Sequence, residues 1–147
     1  HHVIASHPEC ALISPLIVYH DQPARIWSQG RRYLPGLLLT QEPRRNLAQL
    51  PDFMAVDSLT ACALLVRADV FARIGLLDEA YFMYGEDGDF CLRATRAGFR
   101  LGCWTPARIL HKVSRSSGSA SPRARRWRAE SMARFYRLHG STMQNAV

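Results

Sequence analysis

The stretch YFMYGEDGDFCLR (81–93) decides how this chain is read. Three carboxylates, Glu86, Asp87 and Asp89, follow a run of aromatic residues. Behind them Phe90, Cys91, Ala94 and Ala97 recur at helical spacing, which predicts a helix from Glu86 or Asp87 to Ala97, closed by Gly98. Acids in a first turn are stabilised by the helix dipole, each by roughly 0.3–1 kcal/mol. Asp89 and Arg93 also have the spacing of a favourable helix pair, about 0.2–0.5 kcal/mol. These effects account for two acids but not for a third beside Tyr81, Phe82 and Tyr84, where desolvation opposes charge. A calcium loop fails, because its closing Glu would have to stand where Ala97 or Gly98 does. A carboxylate at a helix start in an aromatic pocket can instead act as general base on a hydroxyl. On the residues alone, helix stabilisation and general-base chemistry both stay open.

Outward from this stretch, helices and strands alternate. CALISPLIVY (10–19) reads as a buried strand, and ARIWSQGRRY (24–33) as a short strand or hairpin turning at Gly30. Residues 34–52, with Pro35, Gly36, Pro43 and Pro51, read as a loop. SLTACALLVR (58–67) is apolar enough for a strand buried on both faces. ADVFARIG (68–75) follows as a short helix ended by Gly75, and 76–85 as an aromatic loop. FRLGCW (99–104) is a strand, Thr105-Pro106 a break, and ARIL (107–110) an extended piece that delivers His111. After a linker at 114–122, a basic amphipathic helix spans Pro122 to His139, with Ala124, Trp127, Ser131, Phe135 and Leu138 on one face. The class is α/β with a mixed sheet.

At 147 residues, 48% hydrophobic and 21% charged, the chain has the make-up of a globular domain with a real core. No apolar run approaches the roughly 20 residues that span a bilayer. The start HHVIASHPEC has no initiator Met and no signal layout, so the chain is expected to begin inside a longer domain. Net charge is +7, and Lys112 is the sole lysine among Arg residues. That balance suits anionic partners (phosphates, nucleic acid or a membrane surface) about as well as a solvated basic helix. Cys10, Cys62, Cys91 and Cys103 are far apart and complete no zinc spacing, so buried reduced thiols are expected.

Residues 56–118 resemble the C-terminal half of a family-2 glycosyltransferase with the GT-A fold, most like the bacterial rhamnosyltransferase-like enzymes of surface polysaccharide synthesis. The likeness rests on ordered pieces: Leu-Val-Arg ending a strand, Ile-Gly closing a helix, a Leu-Asp-Glu loop, GEDGDFCLR, AGFR, and Pro-Ala before HKVS. PLIVYHDQPARIWSQG (15–30) resembles the segment preceding that core. The resemblance implies a partial GT-A-type, Rossmann-like mixed sheet with flanking helices over 1–118, and a linker with the basic amphipathic helix over 119–147. It implies inverting transfer from a nucleotide-diphosphate sugar to a saccharide or lipid-linked acceptor, with Asp87 as the base.

By the same resemblance, Glu86, Tyr84, Ala61 and Cys62 lie at the acceptor, while Asp89 and Arg93 secure the helix start. His111 would contact the metal or the diphosphate, and Lys112, Ser114 and Arg115 phosphate. Ala61 stands where relatives commonly carry Gly, and Gly88 where they carry an apolar residue. A divalent Mg or Mn ion is implied, held largely by a nucleotide-binding half expected upstream of residue 1. The implied setting is cytoplasmic, with peripheral contact to the inner membrane face through the last helix and no nucleic acid. The competing expectation is a non-catalytic scaffold or an Arg-rich anion- or nucleic-acid-binding module.

Overall fold

The apolar run at 10–19 becomes the strand around which the rest is arranged. The structure, a computed structural model, describes residues 2–34, 37–43, 46–113 and 121–140. A short helix α1 (His2–Ser6) leads into β1 (Cys10–Tyr19). Then come β2 (Ile26–Ser28), β3 (Arg32–Tyr33), β4 (Thr40–Gln41), a 3-10 turn (Leu47–Gln49) and β5 (Phe53–Val56). Beyond them lie β6 (Leu65–Val66), α2 (Ala68–Ile74), α3 (Glu86–Arg96), β7 (Arg100–His111) and α4 (Pro122–His139).

β1 runs parallel to β7 from Cys10 opposite Arg100 to Tyr19 opposite His111. β5 adds antiparallel to the far side of β7. β6 and β2 both pair antiparallel with β1, the first along its start and the second along its end. The result is the expected α/β class with a mixed sheet, compatible with a partial Rossmann-like fold. β1 is central, so almost all of it is buried, and its apolar run has no alternation. Val70 of α2 and Phe90, Cys91 and Ala94 of α3 meet Leu12, Val56, Leu59, Leu101 and Cys103 in the main core. Each fully buried side chain of Leu or Phe size contributes roughly 1.5–3 kcal/mol.

α2, α3 and α4 fall where periodicity and caps place them. Gly75 and Gly98 take the positive φ values that end α2 and the turn after α3. Ser121 accepts the Ala124 N–H at 3.1 Å, and Pro122 opens α4 where its missing N–H costs nothing. Among the described residues, no helix is long and apolar enough to cross a membrane.

Several expectations need correction. Residues 58–67 are not one buried strand: only Leu65–Val66 pair in the sheet, and Leu65 is 47% exposed. The preceding backbone turns onto α3, where the Leu59 N–H donates to Cys91 Sγ and the Ala61 N–H to Asp87 Oδ2. Helix side chains thus take bonds that a ladder would have supplied. Thr105-Pro106 does not end a strand. β7 continues through it, because the register passes from Trp104 opposite Pro15 to Arg108 opposite Leu16 and leaves Pro106 in a bulge. Asp52 and Pro51 carbonyls accept the Thr105 N–H and hydroxyl there. β2 and β3 flank Gly30 but do not pair with each other; β3 pairs with β4, inside the stretch read as loop. On α4 the buried position is His139 rather than Leu138, which is 44% exposed. Cys10, Cys91 and Cys103 are buried as expected, whereas Cys62 is exposed.

Candidate active site

The site grows from the start of α3. Gly85 caps it in a left-handed conformation (φ +89°), preceded by Tyr84 at φ +69°, a conformation bulky residues rarely take. The Gly85 carbonyl accepts the Asp89 N–H at 2.9 Å and closes the first turn. This kink separates the apolar loop from three consecutive helical positions whose N–H groups lack carbonyl partners within the helix.

The three acids then diverge. Asp89 is 2% exposed. Its Oδ2 accepts from Arg93 Nε at 2.8 Å, and its Oδ1 lies 2.7 Å from His139 Nε2. Arg93 also donates to the Ile74 and Leu76 carbonyls at 2.6 and 2.9 Å, tying α3 to the end of α2. Asp89 and Arg93 are therefore the structural pair the spacing suggested. Asp87 is half-buried, and among the described residues its hydrogen-bond donors are backbone groups: the Gly88 N–H at 2.8 Å and the Ala61 N–H at 3.4 Å. Glu86 is half-buried too, and its Oε2 is enclosed with no partner among the described residues. Burial pushes the Glu86 carboxyl up from its ordinary value, and the neighbouring Asp87 charge adds to the push.

The turn at Thr60–Ala61–Cys62 joins this helix start to the end of β7. On one side the Ala61 N–H meets Asp87; on the other Cys62 Sγ lies 3.5 Å from His111 Nδ1. The His111 ring also packs against Trp27 of β2, centroids 4.5 Å apart. Asp87, Ala61, Cys62 and His111 thus form one neighbourhood, with Glu86 beside it. Ala61 and Cys62 are exposed, so this edge is open to a ligand. Lys112 follows His111 and is exposed; Ser114 and Arg115 lie outside the described residues. Among the described residues, no three His, Cys, Asp or Glu side chains gather closely enough to hold a metal ion. The described residues do not by themselves make the expected metal site.

The aromatic loop has three separate destinations. Tyr81 is buried in a small cluster with Leu92 and Phe135, and desolvation raises its hydroxyl to about 12. Phe82 is 71% exposed and stacks on Trp127 at 5.0 Å. Arg128 of α4 lies 4.6 Å above the half-buried Tyr84 ring. Local patterning misses Trp27, Arg96 and His139 because their partners are distant in sequence. The one available signal was aromatic and cationic chemistry at the ends of predicted elements.

An α/β sheet with a carboxylate pair at a helix start beside a strand-end histidine is compatible with a glycosyltransferase-like fragment. The sequence relatives agree: the chain is related to rhamnosyltransferases and to other glycan-building glycosyltransferases. It is 36% identical over 103 residues to Rhamnosyltransferase WbbL of Escherichia coli (strain K12), matching 70% of this chain and 38% of that protein. It is 41% identical over 69 residues to an N-acetylglucosaminyl-diphospho-decaprenol L-rhamnosyltransferase of Mycobacterium tuberculosis, covering 46% of this chain and 22% of that protein. A low-salt glycan biosynthesis hexosyltransferase, Agl10, of Haloferax volcanii is 38% identical over 47 residues, 32% of this chain and 15% of that protein. The chain therefore spans well under half the length of these relatives. No protein-family model matches it.

Proposed function

We propose that the protein transfers a sugar from a nucleotide-diphosphate donor to a saccharide or lipid-linked acceptor in bacterial surface polysaccharide synthesis, with inversion at the anomeric carbon. This chain supplies the acceptor side. The observation that carries the reading is Asp87: a half-buried carboxylate at a helix start, bonded among the described residues to backbone N–H groups and beside an open turn. Its oxygens keep acceptor capacity for a hydroxyl proton. As the acceptor hydroxyl attacks the anomeric carbon, its proton passes to Asp87 and the bond to the diphosphate breaks on the opposite face. Glu86, with its enclosed and unpartnered oxygen, binds an acceptor hydroxyl in this scheme. Ala61 and Cys62 form the floor of that subsite, and His111 faces the diphosphate with Lys112 beside it. A Mg or Mn ion, held mainly by residues other than those above, would offset the charge that develops on the diphosphate.

The acceptor's lipid tail would keep the protein at the cytoplasmic face of the membrane, against which the Arg-rich side of α4 can lie. The rival reading of α4 as a nucleic-acid binder lacks a recognition motif, and part of the helix's cationic face is committed within the protein. Arg126 pairs with Glu130, Arg134 with Asp78, and Arg123 covers Trp127. The test is transfer by the full-length protein from nucleoside-diphosphate rhamnose to an N-acetylglucosaminyl-diphospho-polyprenol. A rhamnosylated lipid with inverted anomeric configuration is expected. Retention of configuration, or no product with this or any other nucleotide sugar, contradicts the reading.

A further inference from the structure

The helix that begins with the candidate base is gripped from the far end of α4. His139, the last residue of α4, is buried at 5% exposure and reaches Asp89 Oδ1 through Nε2 at 2.7 Å. Its other ring nitrogen, Nδ1, lies 2.9 Å from Arg96 Nη1. A guanidinium can only donate, so Nδ1 accepts, the ring proton resides on Nε2, and His139 donates to Asp89. Arg96 Nη2 also donates to the His139 carbonyl at 3.4 Å, holding ring and backbone together. The chain of bonds runs Arg96, His139, Asp89, Arg93: it leaves α3 near its end, crosses the terminus of α4 and returns to α3 in its first turn.

α4 holds the preceding segment at further points. Arg134 binds Asp78 Oδ2 through Nε at 2.9 Å, the Ser131 hydroxyl donates to the Met83 carbonyl at 2.9 Å, and Arg128 covers the Tyr84 ring. The left-handed pair Tyr84–Gly85 lies between these ties and the His139 grip. Asp87 and Asp89 are two positions apart on one helical turn, so a shift at Asp89 moves Asp87 relative to the Ala61 N–H. A bond of 3.4 Å has little length to spare.

We propose that His139, kept in its neutral Nε2-protonated form by Arg96, is a positioning residue that sets the first turn of α3 and with it the Asp87 and Glu86 carboxylates. The functional half of this statement rests on the assignment of Asp87 as base. The experiment uses the full-length protein with His139→Gln and His139→Leu. Gln can donate to Asp89 and accept from Arg96, the two roles of the neutral imidazole, whereas Leu keeps apolar volume and makes neither bond. Amide hydrogen exchange at 86–90 is read alongside kcat and the donor KM.

For His139→Leu, exchange at 86–90 rises above the unmutated protein's and kcat falls on the order of tenfold to hundredfold at unchanged donor KM. His139→Gln restores both. If His139→Leu does not fold, Arg96→Met removes the donors to Nδ1 and to the His139 carbonyl and carries the same expectations as the Leu variant. Wild-type kcat and exchange in the Leu variant overturn the proposal, as does a Gln variant no better than Leu. If the unmutated protein transfers no sugar, the base assignment fails by itself. The exchange arm then still decides: Gln-rescued exchange supports the positioning role, and unchanged exchange overturns it.

Discussion

The first turn of α3 has two unlike sides. On one, Asp89 has both oxygens occupied by side chains of α3 and α4 and is almost wholly buried. On the other, Asp87 rests on backbone N–H groups, and one enclosed Glu86 oxygen has no partner among the described residues. A buried polar group without a partner costs roughly 1–3 kcal/mol, so folds rarely leave one without a use. The contrast separates two roles that look identical in the sequence. Where both oxygens are answered by side chains of the protein, the carboxylate holds the fold; where acceptor capacity remains, it is available to a ligand.

Four substitutions sharpen or break this contrast. The largest effect is expected at Asp87, where Asp87→Asn slows transfer by roughly 10²- to 10⁴-fold, the usual contribution of a general base. Steady-state kinetics with the full-length protein check it. Asp89→Ala should instead lower stability by about 3–5 kcal/mol, because it strips a buried ion pair of one partner. Denaturant unfolding reads that loss, and an Asp89→Ala protein as stable as the original would erase the distinction. Gly85→Ala places a Cβ 3.3 Å from the Tyr81 ring at φ +89°, and should cost about 1–2 kcal/mol for the left-handed backbone.

The smallest effect is expected at Glu86 and depends on pH. Burial, with the Asp87 charge, raises its carboxyl above the ordinary 4.5, so the folded protein binds that proton more tightly than the unfolded one. Ionised Glu86 therefore costs stability above its raised folded pKa, and the cost disappears once pH falls below 4.5. Glu86→Gln should be slightly more stable than the original at about pH 7, with the difference closing at about pH 4. Urea midpoints at the two pH values measure it. A Gln variant less stable at neutral pH would mean that Glu86 is satisfied after all.

Much of this was legible before the fold was seen, for reasons that differ by element. α3 and α4 carry period, caps and closing glycines within their own residues, so local pattern suffices. The Asp89–Arg93 pair is legible for the same reason. Residues 58–67 misled because an apolar run reports burial but not what buries it. Here Cys91 and Asp87 of α3 take the backbone donors of Leu59 and Ala61, and only Leu65–Val66 remain strand. The Thr105-Pro106 break was real in its chemistry but is absorbed as a bulge, since the Asp52 and Pro51 carbonyls satisfy Thr105. His139 was passed over in favour of Leu138 because hydrophobicity ranks Leu inside. The hydrogen bond from His139 to Asp89 joins residues far apart in sequence, which no helical wheel displays. At the site, Asp87 and Glu86 were legible as types; their meeting with Ala61, Cys62 and His111 depended on a turn that the strand reading hid.

The central claim is that two acids two positions apart divide catalysis from structure. The most direct measurement pairs turnover and unfolding free energy on Asp87→Asn and Asp89→Asn of the full-length protein, with donor binding measured on both. The account predicts a crossing: Asp87→Asn binds donor and unfolds like the original but hardly turns over, whereas Asp89→Asn loses stability and keeps the turnover of its folded fraction. An Asp87→Asn protein that transfers sugar at the original rate would contradict it.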